Sequence, residues 1–180
     1  MGGIEHVEAR FLQDLIAKQQ MHEALMRYCR GADRCEPAAM LALFDDGATT
    51  HHGAFRGRVE DFVTDYEQRI KVTATSVMHA LANVLIDIGP SVANSEASFV
   101  CYLGRSAEGG DLVDVMGGRY LDRWRRVGDR FKVIDRVVTH DWSTVIDQAD
   151  HRFSRPVELF AAGGWYPHDP LYVTLSRQLT

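Results

Sequence analysis

Apolar positions in the first part of the chain recur at helical steps. Across residues 11–32, Leu12, Leu15, Ile16, Leu25, Met26 and Cys29 follow three- and four-residue spacing, while Asp14, Lys18, Gln20, Glu23 and Arg27 fill the other faces. This predicts an amphipathic helix ending near Gly31. Pro37 suits a first helical turn, and residues 38–44 predict a short second helix stopped by Asp45-Asp46-Gly47. Residues 48–52 predict a short strand, residues 53–57 a loop, and residues 59–70 a third helix carrying Phe62, Val63 and Tyr66. Beyond Lys71 the period changes to that of strands. Four runs follow, at 75–88, 92–103, 112–127 and 130–145, separated by Gly89-Pro90-Ser91, by a loop holding Gly104, Gly109 and Gly110, and by Gly128-Asp129.

Helices first and an antiparallel meander afterwards predict an α+β domain over residues 1–147, with helices covering one face of a curved sheet. Gly117-Gly118, inside the third long run, marks either a bulge or a close backbone approach. From Gln148 the chain carries Pro156, Gly163-Gly164, Pro167 and Pro170 with little periodicity, so residues 148–180 are expected to pack on the domain or on a neighbouring subunit.

Composition narrows the classes of function. At 180 residues the length fits one domain with a sizeable core; 46% hydrophobic and 25% charged residues with a net charge of -5 describe a globular protein. No polybasic run or basic stripe is present, so neither nucleic acid nor an anionic membrane is the expected partner. The first residues lack a basic segment followed by an apolar one, and no apolar run reaches bilayer length, which leads to an expected cytoplasmic location. Cys29, Cys35 and Cys101 match neither CxxC nor zinc-ligand spacing and read as reduced thiols, Cys29 and Cys101 in the core. Glycine-rich nucleotide fingerprints and a nucleophile elbow are also missing, so no cofactor is expected.

Several polar residues on apolar elements are candidates for chemistry. Tyr28 and Asp33 lie roughly 140° apart on an ideal helix, yet each flanks the inward stripe. The helix macrodipole disfavours a carboxylate at this end, and Arg30 and Arg34 stand ready to neutralise it, so a surface Asp and an inward one fit the spacing equally. His79 shares its strand face with Leu81 and Leu85, with Asn83 as the other polar group there; an isolated histidine in that setting is more often a satisfied core residue. Arg136 alternates with Ile134, Val138, His140 and Trp142, giving either an anchor for substrate negative charge or a cross-strand ion pair. His51-His52 points to opposite faces with no carboxylate at ligand spacing, so no metal is expected.

Taken together, Tyr28-x4-Asp33, Leu43-Phe44-Asp45-Asp46-Gly47-Ala48, Met78-His79-x3-Asn83 and Gly118-Arg119-Tyr120-Leu121-Asp122-Arg123-Trp124 resemble the SnoaL-like branch of the nuclear transport factor 2-like superfamily over residues 10–146. Asp169-Pro170-Leu171-Tyr172 resembles a tail segment of such sequences. The resemblance implies a cone-shaped, cystatin-like barrel with N-terminal helices packed on a curved, mainly antiparallel sheet. It is strongest toward bile-acid 7α-dehydratase, scytalone dehydratase and hexachlorocyclohexane dehydrochlorinase, and by that likeness Asp33 and His79 would be a catalytic dyad, with Tyr28 and Arg136 beside it. His140, Asn83, Trp142 and His52 would line the substrate pocket. The implied function is a cofactor-independent lyase for a hydrophobic cyclic small molecule, in a homo-oligomer, trimeric as in the dehydratases or dimeric as elsewhere in the superfamily. An isomerase, or a non-catalytic module like the β subunits of ring-hydroxylating dioxygenases, fits the same fold. The second histidine of scytalone dehydratase has no counterpart, since Phe99, Cys101 and Tyr102 occupy that region.

Overall fold

A computed structural model describes residues 2–147 and 161–174. Helix α1 (Gly2–Arg34) is longer at both ends than the sequence predicts. Gly31 does not stop it: a Cβ there would sit 2.9 Å from Ala39 Cβ, so this glycine admits the close approach of α2 (Pro37–Leu41). The inward stripe also shifts from the predicted one. Ala17, Met21, Leu25, Tyr28, Cys29 and Ala32 are buried, whereas Leu12, Leu15, Ile16 and Met26 are exposed. Residues 7–13 of α1 are exposed, whereas Leu15, Lys18, Gln19 and His22 line a cleft against β3.

The predicted second helix ends early. Phe44 through Gly47 belong to strand β1 (Phe44–His52) because Phe44 pairs with Val133 in parallel register, a long-range partner that local helical spacing does not reveal. The expected loop at 53–57 holds β2 (Phe55–Arg58), paired antiparallel with β1, and only its turn is kept, at Gly53 with φ 61°. Helix α3 (Val59–Thr73) buries Val59, Phe62, Val63, Tyr66 and Ile70.

Four long strands complete the sheet: β3 (Ser76–Ile88), β4 (Val92–Ala107), β5 (Gly110–Val127) and β6 (Arg130–Asp147). Gly104 lies within β4 rather than in a loop; a Cβ there would fall 2.5 Å from Ser76 Oγ, so a larger residue would have to displace the Ser76 and Thr75 hydroxyls packed against it. At the β5–β6 turn Gly128 takes φ 63°, as the first position of a primed turn demands. Strand order is β2-β1-β6-β5-β4-β3, antiparallel except where β1 meets β6.

Bulges break the register of this sheet and curve it. One falls at Asn83, whose φ is 37°, between Ala82 and Val84; others fall at Gly117/Gly118 and Arg123/Trp124. Both readings of the Gly117-Gly118 pair hold together, since a Cβ on Gly118 would meet Thr139 O at 2.1 Å and one on Gly117 the Trp142 indole at 2.3 Å. The core lies between α1, α3 and the sheet, with Trp124 fully enclosed and its Nε1 donating to Ser95 Oγ at 2.8 Å.

Candidate active site

Asp33 and His79 meet. The last turn of α1 crosses β3 so that Asp33 Oδ1 lies 2.6 Å from His79 Nδ1 and accepts the His79 backbone N–H at 2.9 Å. Two bonds from one residue fix the carboxylate against the strand. The helix end is tied down alongside: Arg34 turns away from Asp33 to pair with Asp169 at 2.9 Å, Tyr166 N donates to Arg34 O, and Tyr172 Oη donates to Glu36 at 2.7 Å. Asp169 also accepts from the backbone of Leu171 at 2.9 Å, holding the start of α4 (Pro170–Thr174).

The two side chains of the pair are 12% and 9% exposed, so little water competes for their bond. Burial opposes a charged imidazole, but the bond His79 makes to the Asp33 carboxylate, with the neighbouring Cys101, outweighs it, and the His79 pKa is pushed up to about 9. Beyond the imidazole the interior is built of rings. His79 leans on Phe99 at 5.9 Å between centroids, Phe99 stacks on Tyr120 at 4.4 Å, and Tyr120 meets the edge of Tyr28 at 5.8 Å. Burial raises the pKa of both tyrosines, so each keeps its phenolic proton.

Arg136 ends this row, and its role differs from a free cavity cation. Its guanidinium forms a two-point bond with Asp122 at 2.6 and 2.7 Å, with Cζ 4.3 Å from the Tyr28 ring centre and 4.2 Å from that of Tyr120. Both partners are sealed from solvent, and one nitrogen, Nη1, has no hydrogen-bond partner. The cross-strand ion pair is therefore the reading of Arg136 that holds, and the partner is Asp122. Ile134 sits at the β6 bulge and does not continue its face.

His52, on β1, stacks on Phe62 at 4.7 Å and points inward. Burial, followed by the charges of Arg136 and His79, pushes its pKa down to about 4, so it is neutral at pH 7 and its buried Nδ1 is without a partner. Thr50, two residues earlier and opposite Arg136 in register, is buried with an unpartnered hydroxyl. Among the described residues no group of three or more His, Cys, Asp or Glu converges as a metal ion would require.

A family model described as the SnoaL-like domain matches residues 13–137. The chain belongs to the SnoaL-like family. No curated protein sequence matches it significantly. Solved structures similar to this SnoaL-like protein include a hexachlorocyclohexane dehydrochlorinase of Novosphingobium barchaimii, 14% identical over 81% of this chain and 99% of that one, with a TM-score of 0.68. A protein of Novosphingobium aromaticivorans that carries the name of scytalone dehydratase is 19% identical over 73% of this chain and 89% of its own, with a TM-score of 0.65. A nuclear transport factor 2-like protein of Salmonella enterica is 18% identical over 73% and 95% of the two chains, TM-score 0.62. At these identities the likeness establishes the α+β, nuclear transport factor 2-like fold.

Within this SnoaL-like domain, Tyr28, Asp33, His52, His79 and Arg136 come together around one interior. The other three predicted residues do not. The bulge at Asn83 reverses the alternation of β3, so Val84 and Ile86 turn inward while Asn83 and Leu85 face out. His140 is exposed, and Trp142, 48% exposed, lies across Gly117. Residues absent from the sequence-level set are Asp122, Phe99, Tyr120 and Thr50. A signal for Asp122 was present, because Tyr120, Asp122 and Trp124 alternate on one strand face; its pairing with Arg136 needed the register. Larger clefts run along α1, one of about 750 Å³ against β3 between Leu81 and Asp87, away from Asp33 and His79.

Proposed function

We propose that this SnoaL-like protein is a cofactor-independent lyase, a dehydratase or related eliminating enzyme acting on a hydrophobic cyclic molecule of steroid, polyketide or terpenoid type. The observation that carries the reading is the 2.6 Å bond between Asp33 and His79 in a nearly dry, aromatic setting. Asp33 holds Nδ1, which leaves Nε2 to take a proton next to an activating carbonyl; the carboxylate stabilises the imidazolium that forms. The Tyr28 hydroxyl, still protonated because burial raises its pKa, donates to the oxygen on which negative charge develops. Arg136, already neutralised by Asp122, acts from behind as a positioning residue for the Tyr28 and Tyr120 rings. The names of the dehydrochlorinase and scytalone dehydratase neighbours, both eliminating enzymes, support the same class.

The test is a screen of cyclic β-hydroxy ketones read by mass spectrometry for loss of water. On any substrate found, Asp33→Asn and His79→Ala are each expected to lower kcat about 100-fold or more, within the range general acid–base catalysis supplies. Since most of His79 is protonated at pH 7, kcat/KM in the wild type rises with pH toward about 9. Turnover within twofold of wild type in both variants sinks the dyad, and a product of unchanged mass makes the enzyme an isomerase.

A further inference from the structure

We propose that Cys101 is a nucleophilic thiol served by the His79–Asp33 pair, and that it adds to α,β-unsaturated carbonyl compounds at the β-carbon. Cys101 stands on β4 directly opposite His79 on β3. Opposed residues of an antiparallel pair share a face, with Cβ atoms about 4.5–5.5 Å apart, so thiol, imidazole and carboxylate lie in the order nucleophile, base and orienting group. Asp33 occupies Nδ1 and leaves Nε2 for the thiol proton. Cys101 is a free cysteine and partly exposed, while Cys29 and Cys35 are 4% and 1% exposed. Two residues before Cys101 on the same strand face lies Phe99, stacked on Tyr120, so the thiol stands beside an aromatic wall.

Around His79 and Cys101 stand Asp33, Tyr28 and Cys29 on α1, His52 on β1, Tyr66 on α3 and Tyr120 on β5, and the Arg136 charge is balanced by Asp122. In the addition, neutral His79 takes the thiol proton at Nε2 and sulfur bonds to the β-carbon as the alkene π pair moves to the carbonyl oxygen. The resulting enolate takes the proton back from His79 at the α-carbon. Atoms and electrons balance with no oxidant or reductant. An elimination that removes water β to a carbonyl makes this class of molecule, yet the thiol chemistry stands without that reaction.

Intact-mass spectrometry and peptide mapping with N-ethylmaleimide and with 2-cyclohexen-1-one test the proposal between pH 5.5 and 9. The expected result is one adduct, on Cys101, forming about tenfold faster than on glutathione at the same pH and slowed about tenfold by His79→Gln or Asp33→Asn. If either variant misfolds, the wild-type protein decides, since a thiol served by a neighbouring base outruns glutathione at every pH of that range. Cys101 reacting no faster than glutathione, failing to react in the folded protein, or reacting after Cys29 or Cys35 overturns it. The assay needs no elimination substrate, so labelling without any lyase activity rejects only the lyase reading, and turnover without labelling rejects only this one.

Discussion

At His79 and His52 folding perturbs two imidazoles in opposite directions, and stability must follow pH accordingly. The unfolded-state pKa of each is about 6.5. Folding pushes His79 up to about 9, so the stability its charged ring contributes is fully present below pH 6.5 and fades as pH rises through 9. Folding pushes His52 down to about 4, so its contribution is present above pH 6.5 and fades as pH falls toward 4. Urea denaturation is expected to give maximal stability near pH 6.5, with each limb worth on the order of 2–3 kcal/mol. Asp33→Asn should flatten the alkaline limb and His52→Gln the acid one; an unchanged alkaline limb in Asp33→Asn would contradict the paired imidazole. The residues of this pair were legible in the sequence as polar groups on apolar elements. Their bond was not, because Asp33 and His79 are 46 residues apart and no local spacing relates a helix end to a strand face.

Strands β5 and β6 are held together in their buried middle by Arg136 and Asp122, which face each other in register. Removing one member of such a pair strands a charge out of reach of water, so Asp122→Ala is expected to cost about 3–5 kcal/mol in denaturant titrations. Replacing both, as Asp122→Leu with Arg136→Met, should cost less than the single change. Similar stability losses for the single and double variants would show that the ion pair contributes nothing beyond its packing. Element type was readable from period: α3 and the four long strands fall where alternation and helical steps put them. The failures share a cause. Phe44–Gly47 and Phe55–Arg58 became strand through partners on β6 and β1, while Gly31 and Gly104 serve close approach rather than chain reversal. A glycine in the sequence does not say which of these uses it has.

Over the whole molecule, apolar side chains remain on the surface. Met78, Leu85, Trp142, Val145 and Ile146 of the sheet are 48–70% exposed, and Val7, Phe11 and Leu12 near the start of α1 58–69%. Exposed apolar area of this kind marks association surfaces. The expected outcome in light scattering is a trimer of about 61 kDa rather than the 20.3 kDa of one chain, with a dimer near 41 kDa as the alternative; a monomer at micromolar concentration rules self-association out. Among the described residues no helix is long and apolar enough to cross a membrane.

Periodicity, turn residues and a handful of polar groups were enough to determine the class of fold and the order of most elements, and to mark Asp33 and His79 as candidates that only the family resemblance joined as a pair. Those properties depend on neighbours a few residues away, which a linear pattern records. The tertiary structure alone decided that Arg136 is locked to Asp122, that Asn83 turns outward at a bulge, and that Cys101 faces His79. Each depends on which strand lies beside which, and in what register. A one-residue bulge reverses every side chain beyond it, and the spacing of residues along the chain carries no record of where a distant partner will force one.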